Sequence, residues 1–101
     1  MYQDLRSDDA KYWISKLRPH SLATFTTKAK SAAWRTIPSA YLICENDGAI
    51  PVQGQEAMVA AVQKEGGEIE VERLHSCHCP HLQEPDAVVS FLRRAIGEVF
   101  E

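Results

Sequence analysis

Nine residues, "LHSCHCPHL" from Leu74 to Leu82, carry His75, Cys77, His78, Cys79 and His81 within seven consecutive positions. Side chains of these types serve three chemistries: metal ligation, thiol exchange, or proton transfer by one imidazole. A structural zinc site takes four ligands in a tetrahedron, normally as two separated pairs. The outlying candidates here are His20 and Cys44, and neither belongs to a paired motif, so no metal is expected. Cys77 and Cys79 form C-x-C rather than the C-x-x-C of thioredoxin-type motifs, and a bridge across one residue fits disulfide geometry poorly. A histidine acting as general base needs a carboxylate to orient it. The stretch "ENDGAIP", Glu45 to Pro51, supplies one in Asp47. Asp47-Gly48 also reads as a plain turn, and Glu45 and Asn46 compete for the acid's position.

The elements on either side decide whether these loops can meet. "SAYLICEN" is a short apolar run that ends abruptly in polar residues, the pattern of a strand over Ala40 to Cys44 covered on both faces. Pro51 opens a helix from about Val52 to Glu65 with Met58, Ala61 and Val62 as its inner face, and Gly66-Gly67 stops it. "EIEVERL" alternates acid and apolar residues at period two, which predicts a strand with Glu68, Glu70 and Glu72 along one wet face. Pro85 and Asp86 start a last helix with Val88, Leu92, Ala95, Ile96 and Val99 on one side. Strand, helix, strand, helix implies two parallel strands joined by a crossover. In open parallel sheets reactive groups gather beyond the carboxyl ends of the strands, and both polar loops fall there. Ahead of this unit, Ser7 to Leu17 reads as a helix capped at Ser7 and ended by Pro19, and a second helical stretch runs from about Ser21 to Trp34.

The two loops in succession, "IPSAYLICENDGAIP" and then "SCHCPHLQEPDAVVSFLRRA", resemble the C-terminal end of an α/β-hydrolase. The resemblance is narrower still to the branch containing small esterases, plant methylesterases and hydroxynitrile lyases. Its acid loop reads like C-x-E-D-x-A-I-P and its histidine loop like S-H-S-P-F-L-S-x-P. By position Asp47 matches the triad acid and His78 the triad histidine, while "YQDLRSDDAKYWISKLRPHSLATFTTKAKSAAW" is similar to the helical cap and connector. The resemblance implies a partial α/β-hydrolase fold: cap helices and connector over residues 1–36, then a βαβα unit with two parallel strands over 37–101. Asn46 and Cys79 depart from the pattern, where an acid and a serine are common. The family's nucleophile sits on a G-x-S-x-G elbow whose following N–H helps form the oxyanion hole. None of Ser7, Ser15, Ser21, Ser31, Ser39, Ser76 and Ser90 has flanking glycines.

The implied activity is hydrolysis of small carboxylic esters by a serine hydrolase, with cyanohydrin cleavage a lesser alternative and no organic cofactor. This chain, read as a truncated C-terminal region, supplies the acid and histidine without the nucleophile, and is expected to be inactive alone. Two other readings stand beside it: a binding or assembly piece that completes a sheet through an exposed strand edge, and a small zinc-binding module. At 101 residues the chain holds one modest core, and a net charge of −3 without a basic patch gives no field suited to nucleic acid. No run approaches the ~20 apolar residues that span a bilayer. Three cysteines do not form a secreted disulfide framework, and a cytoplasmic location is expected.

Overall fold

In the computed structural model, which describes residues 1–97, helix α1 spans Ser7–Ser15. Asp8 and Asp9 lie in its first turn, where carboxylates meet the positive end of the helix dipole. Ser7 is the first helical residue and not the cap; the cap position is Arg6, which makes no side-chain capping bond. The long second helix expected from the sequence does not form. Only a single turn, α2 over Ala23–Thr26, and a 3-10 turn over Ala33–Arg35 appear between α1 and the first strand. Thr24, Thr26 and Thr27 explain the break, because β-branched hydroxyl residues lose rotamer freedom in a helix and offer the backbone local alternatives. Thr24 does so, bonding through its hydroxyl to the Ser21 carbonyl at 2.8 Å.

Strand β1, Ser39–Cys44, helix α3, Val52–Lys64, and strand β2, Ile69–Leu74, follow, and the two strands pair in parallel from Ser39 opposite Ile69 to Cys44 opposite Leu74. Gly66 ends α3 at φ +84°, a left-handed conformation that costs glycine least. The buried stripe of α3 runs Gln55, Val59 and half-buried Val62; Met58 and Ala61, expected to face inward, are exposed. A short turn of helix α4, Pro80–Gln83, leads into α5, Pro85–Ala95.

Two ion pairs fix the layering. Arg73 reaches Glu56 of α3 at 2.8 Å, while Arg94 of α5 holds Glu72 at 2.6 Å. Consecutive strand residues point to opposite faces, so α3 and α5 cover opposite faces of the sheet. The glutamate row of β2 is therefore not a simple wet face: Glu70 is exposed, but Glu72 is half-buried under α5. The side of α5 turned to the protein carries half-buried Ala87, Val88 and Phe91, whereas Leu92, Ala95 and Ile96 are exposed. Val99 lies outside the described residues.

The buried apolar residues are Ile43, Cys44, Val59, Cys77 and Cys79, with Ile43 the largest fully buried side chain. All but Val59 belong to the end of β1 or the loop after β2, so the densest packing lies directly beneath the two polar loops. Away from it the chain is open. Its radius of gyration is 15.6 Å, against about 13 Å for a compact chain of 100 residues.

Candidate active site

The backbone ladder continues past the strands into both loops. Beyond the last pair the Glu45 N–H donates to the Leu74 carbonyl at 2.9 Å, and the Asn46 N–H donates to the Ser76 carbonyl at 3.0 Å. These bonds draw the acid loop and the histidine loop together. Asp47 then turns back, its own N–H bonding to the Cys44 carbonyl at 3.3 Å.

That turn aims one carboxylate oxygen inward and one across. Oδ1 of Asp47 accepts the N–H groups of Ala49 at 2.7 Å and Ile50 at 2.8 Å. Oδ2 stands 2.8 Å from Nδ1 of His78. An ionised carboxylate is an acceptor only, so Nδ1 carries the proton and donates it. Asp47 thus combines both roles open to it in the sequence, turn residue and partner of an imidazole, with one oxygen for each.

Burial separates the pair. The Asp47 side chain is 4% exposed and that of His78 34%. Burial alone pushes the Asp47 carboxyl upward, but the bond from His78 and the two loop N–H groups outweigh it, and its pKa lies below the ordinary 3.8. Because the folded value is depressed, Asp47 stabilises the fold fully above the unfolded value, and that contribution is lost as pH falls through the folded one. The imidazole is held at Nδ1, and its side chain as a whole stays 34% exposed.

The remaining residues of the Cys/His loop are arranged differently. His75 and His81 are exposed, one after the end of β2 and one on α4. Cys44, Cys77 and Cys79 are all free and buried. Burial pushes the thiols of Cys44 and Cys79 up, which keeps them protonated and poor as nucleophiles or metal ligands. Among the described residues no three His, Cys, Asp or Glu side chains converge to hold a metal ion.

Two glutamines outside the expected site fasten the loops. Gln55 of α3 is 1% exposed and bonds to both backbone groups of Cys44 and to the Ile50 carbonyl, each at 2.9 Å. Gln83 of α4 accepts the Cys77 N–H at 3.0 Å. The sequence does carry a signal for Gln55, a polar residue in phase with the buried stripe of its helix; Gln83 has none beyond its place after the histidine loop. On the outer side Gln3 donates to the Asn46 carbonyl and Asn46 to the Asp4 carboxylate, so the segment before α1 is tied to the acid loop.

A mixed α/β unit with parallel strands and this strand-end contact narrows the choice of families, and comparison with known proteins completes it. Residues 1–91 match the model of the Alpha/beta hydrolase family. The chain belongs to that family. One of its curated relatives, "Alpha/beta hydrolase nvfD" of Aspergillus novofumigatus, is 38% identical over 102 residues, a span that takes in 100% of this chain and 39% of the relative. Another, "Probable hydrolase R7" of Phoma sp., is 30% identical over 95 residues, or 93% of this chain and 39% of the relative. No solved structure matches the chain. This alpha/beta hydrolase chain thus spans 39% of the length of the curated relatives it matches, and its two strands form a partial α/β-hydrolase fold. No helix among its described residues is long and apolar enough to cross a membrane.

Proposed function

We propose that Asp47 and His78 are the acid and base of a serine-hydrolase triad acting on small carboxylic esters, with nucleophile and oxyanion donors supplied from outside these 101 residues. The observation that carries this reading is the 2.8 Å contact between a buried carboxylate and Nδ1 of a half-exposed imidazole, at the carboxyl ends of two parallel strands. In the reaction, Nε2 of His78 takes the proton of a serine hydroxyl as its oxygen attacks the ester carbonyl. The same proton then passes to the leaving alcohol as the tetrahedral intermediate collapses to an acyl-enzyme. A water deprotonated at Nε2 releases the acid by the reverse sequence. Asp47 holds the ring and stabilises its protonated form throughout. Cyanohydrin cleavage is the lesser alternative. Residues 1–36 serve as the cap and connector over this site, residues 37–101 as its βαβα base. The free, buried thiols suit a reducing compartment such as the cytoplasm.

The test is a pair of assays with a small nitrophenyl ester. The 101-residue chain alone is expected to show no saturable turnover. Extended by a segment bearing G-x-S-x-G, such as one read from the coding sequence immediately upstream of Met1, it is expected to hydrolyse the ester in a manner abolished by His78→Ala. Turnover by the chain alone that disappears in His78→Ala would overturn the division of labour proposed here.

One observation favours a second reading. The sheet has two strands, each with an outer edge that meets no other strand among the described residues, and Val71 on β2 is 38% exposed. Such edges are templates for strand addition. On this reading the chain completes a sheet supplied by another polypeptide and is expected to sediment as more than a monomer at micromolar concentration. A monomer that unfolds cooperatively would count against it.

A further inference from the structure

We infer that Gln55 is a positioning residue for the Asp47–His78 pair, its buried side-chain amide standing in for a neighbouring strand at Cys44 and fastening the acid loop at Ile50. The inference rests on the acid–histidine reading above and goes on to say what holds that pair in place.

In a parallel ladder, alternate residues of a strand turn their N–H and C=O groups to the same neighbour. The N–H groups of Ser39 and Glu45 donate to the Glu68 and Leu74 carbonyls, each at 2.9 Å, so residues 39, 41, 43 and 45 address β2. Residues 40, 42 and 44 therefore address the other edge, which no strand occupies among the described residues. At Cys44 both outward groups are nonetheless satisfied by one side chain. Oε1 of Gln55 accepts the Cys44 N–H, and Nε2 donates to the Cys44 carbonyl, each at 2.9 Å. An amide side chain has the donor and acceptor of a peptide group, and here it pairs as a peptide would.

Its second proton extends the clamp. Nε2 also donates to the Ile50 carbonyl at 2.9 Å, while the Ile50 N–H is held by Asp47 Oδ1 at 2.8 Å. The Ile50 residue is thus gripped from both ends, by the glutamine and by the acid itself. Cys44 and Ile50, the start and close of the acid loop, are joined through a side chain that is 1% exposed, and Asp47 at the apex bonds to each of them through its own N–H and Oδ1. A strand added along this edge can pair at Ala40 and Leu42 but has to leave β1 at Cys44, which keeps the space before the acid and histidine free of backbone.

Truncating a buried clamp leaves unpaired polar groups, and the loop is the part free to rearrange. In Gln55→Met, which keeps the length and removes the bonds, the sheet is expected to persist, read as slow exchange of the Ile43 amide. The downfield proton NMR signal of His78 Nδ1–H is expected to vanish, and the Asp47 carboxyl titration to move up toward the ordinary range. A His78 signal and Asp47 titration unchanged in Gln55→Met would overturn the inference, whereas absence of that signal from the unsubstituted chain would instead sink the acid–histidine reading and this inference with it. Should Gln55→Met fail to fold, amide exchange in the unsubstituted chain decides. The Cys44 amide is expected to exchange at least about tenfold more slowly than those of Ala40 and Leu42, and equal rates would overturn the proposal.

Discussion

Asp47→Asn is expected to move the His78 proton from Nδ1 to Nε2 while leaving the fold in place. The reasoning starts from the two loop N–H groups of Ala49 and Ile50, which need an oxygen acceptor at 2.7 and 2.8 Å. They keep the asparagine Oδ1 where the aspartate Oδ1 stands. The amide nitrogen must then occupy the position of Oδ2, 2.8 Å from the ring. A nitrogen donor cannot accept from Nδ1–H, so the imidazole adopts the other tautomer and presents Nε2–H where a base is needed. Nitrogen chemical shifts of the His78 ring read this directly in the chain itself. In a form joined to a serine elbow, ester hydrolysis is expected to fall by about 10⁴-fold, the scale on which the wrong tautomer disables a triad. Stability at neutral pH is expected to fall by only about 1–2 kcal/mol, because the loop acceptor survives. The acid sensitivity assigned to Asp47 is expected to disappear in the variant, so that denaturant unfolding between about pH 5 and pH 2 shows a smaller decline than in the unsubstituted chain. Retention of the Nδ1-protonated ring in Asp47→Asn would show that the carboxylate does not choose the tautomer.

Ile43→Ala is expected to cost about 2–5 kcal/mol, the range for deleting most of a buried branched side chain and leaving a cavity. Total stabilities of small domains run about 5–15 kcal/mol, so one substitution removes a large share. The effect is severe here because the core is small. Ile43 is 2% exposed, and the other buried apolar side chains are Val59 and three cysteines. It also stands next to Cys44, so a collapse around it disturbs the anchor of the acid loop as well as the packing of α3. Urea unfolding followed by circular dichroism reads the shift, with an unchanged slope if the compactness of the unfolded chain is unaltered. A loss below about 1 kcal/mol would mean that the folding energy does not depend on this cluster.

How much of this was legible beforehand follows from the range of each signal. The apolar run before Glu45, the period-two stretch before His75, and the glycines after α3 are local patterns, and their elements fall where the patterns put them. Parallel pairing followed from the crossover length, and the register then brought the two loops to one end of the sheet. Where the sequence misled, the deciding force came from elsewhere in the fold. Met58 and Ala61 are as apolar as a core demands, yet α3 rotates to bury Gln55 because that side chain satisfies strand-edge groups at Cys44 that would otherwise be unpaired. Leu92 and Ile96 are exposed, whereas Val88 and Phe91 of α5 are half-buried and Arg94 pairs with Glu72 of β2.

By itself, then, the sequence determined the order and kind of β1, α3, β2 and α5 and the loop types that follow each strand, but not the short turn of α4 at Pro80–Gln83. Hydrophobic periodicity and turn chemistry act over a few residues, and that is the distance over which a sequence can be read. Only the tertiary structure decided which oxygen of Asp47 faces His78, which face of each helix is covered, and that glutamines rather than cysteines secure the loops. Those outcomes depend on hydrogen-bond geometry between segments far apart in the chain, where a shift of about 1 Å makes or breaks a bond.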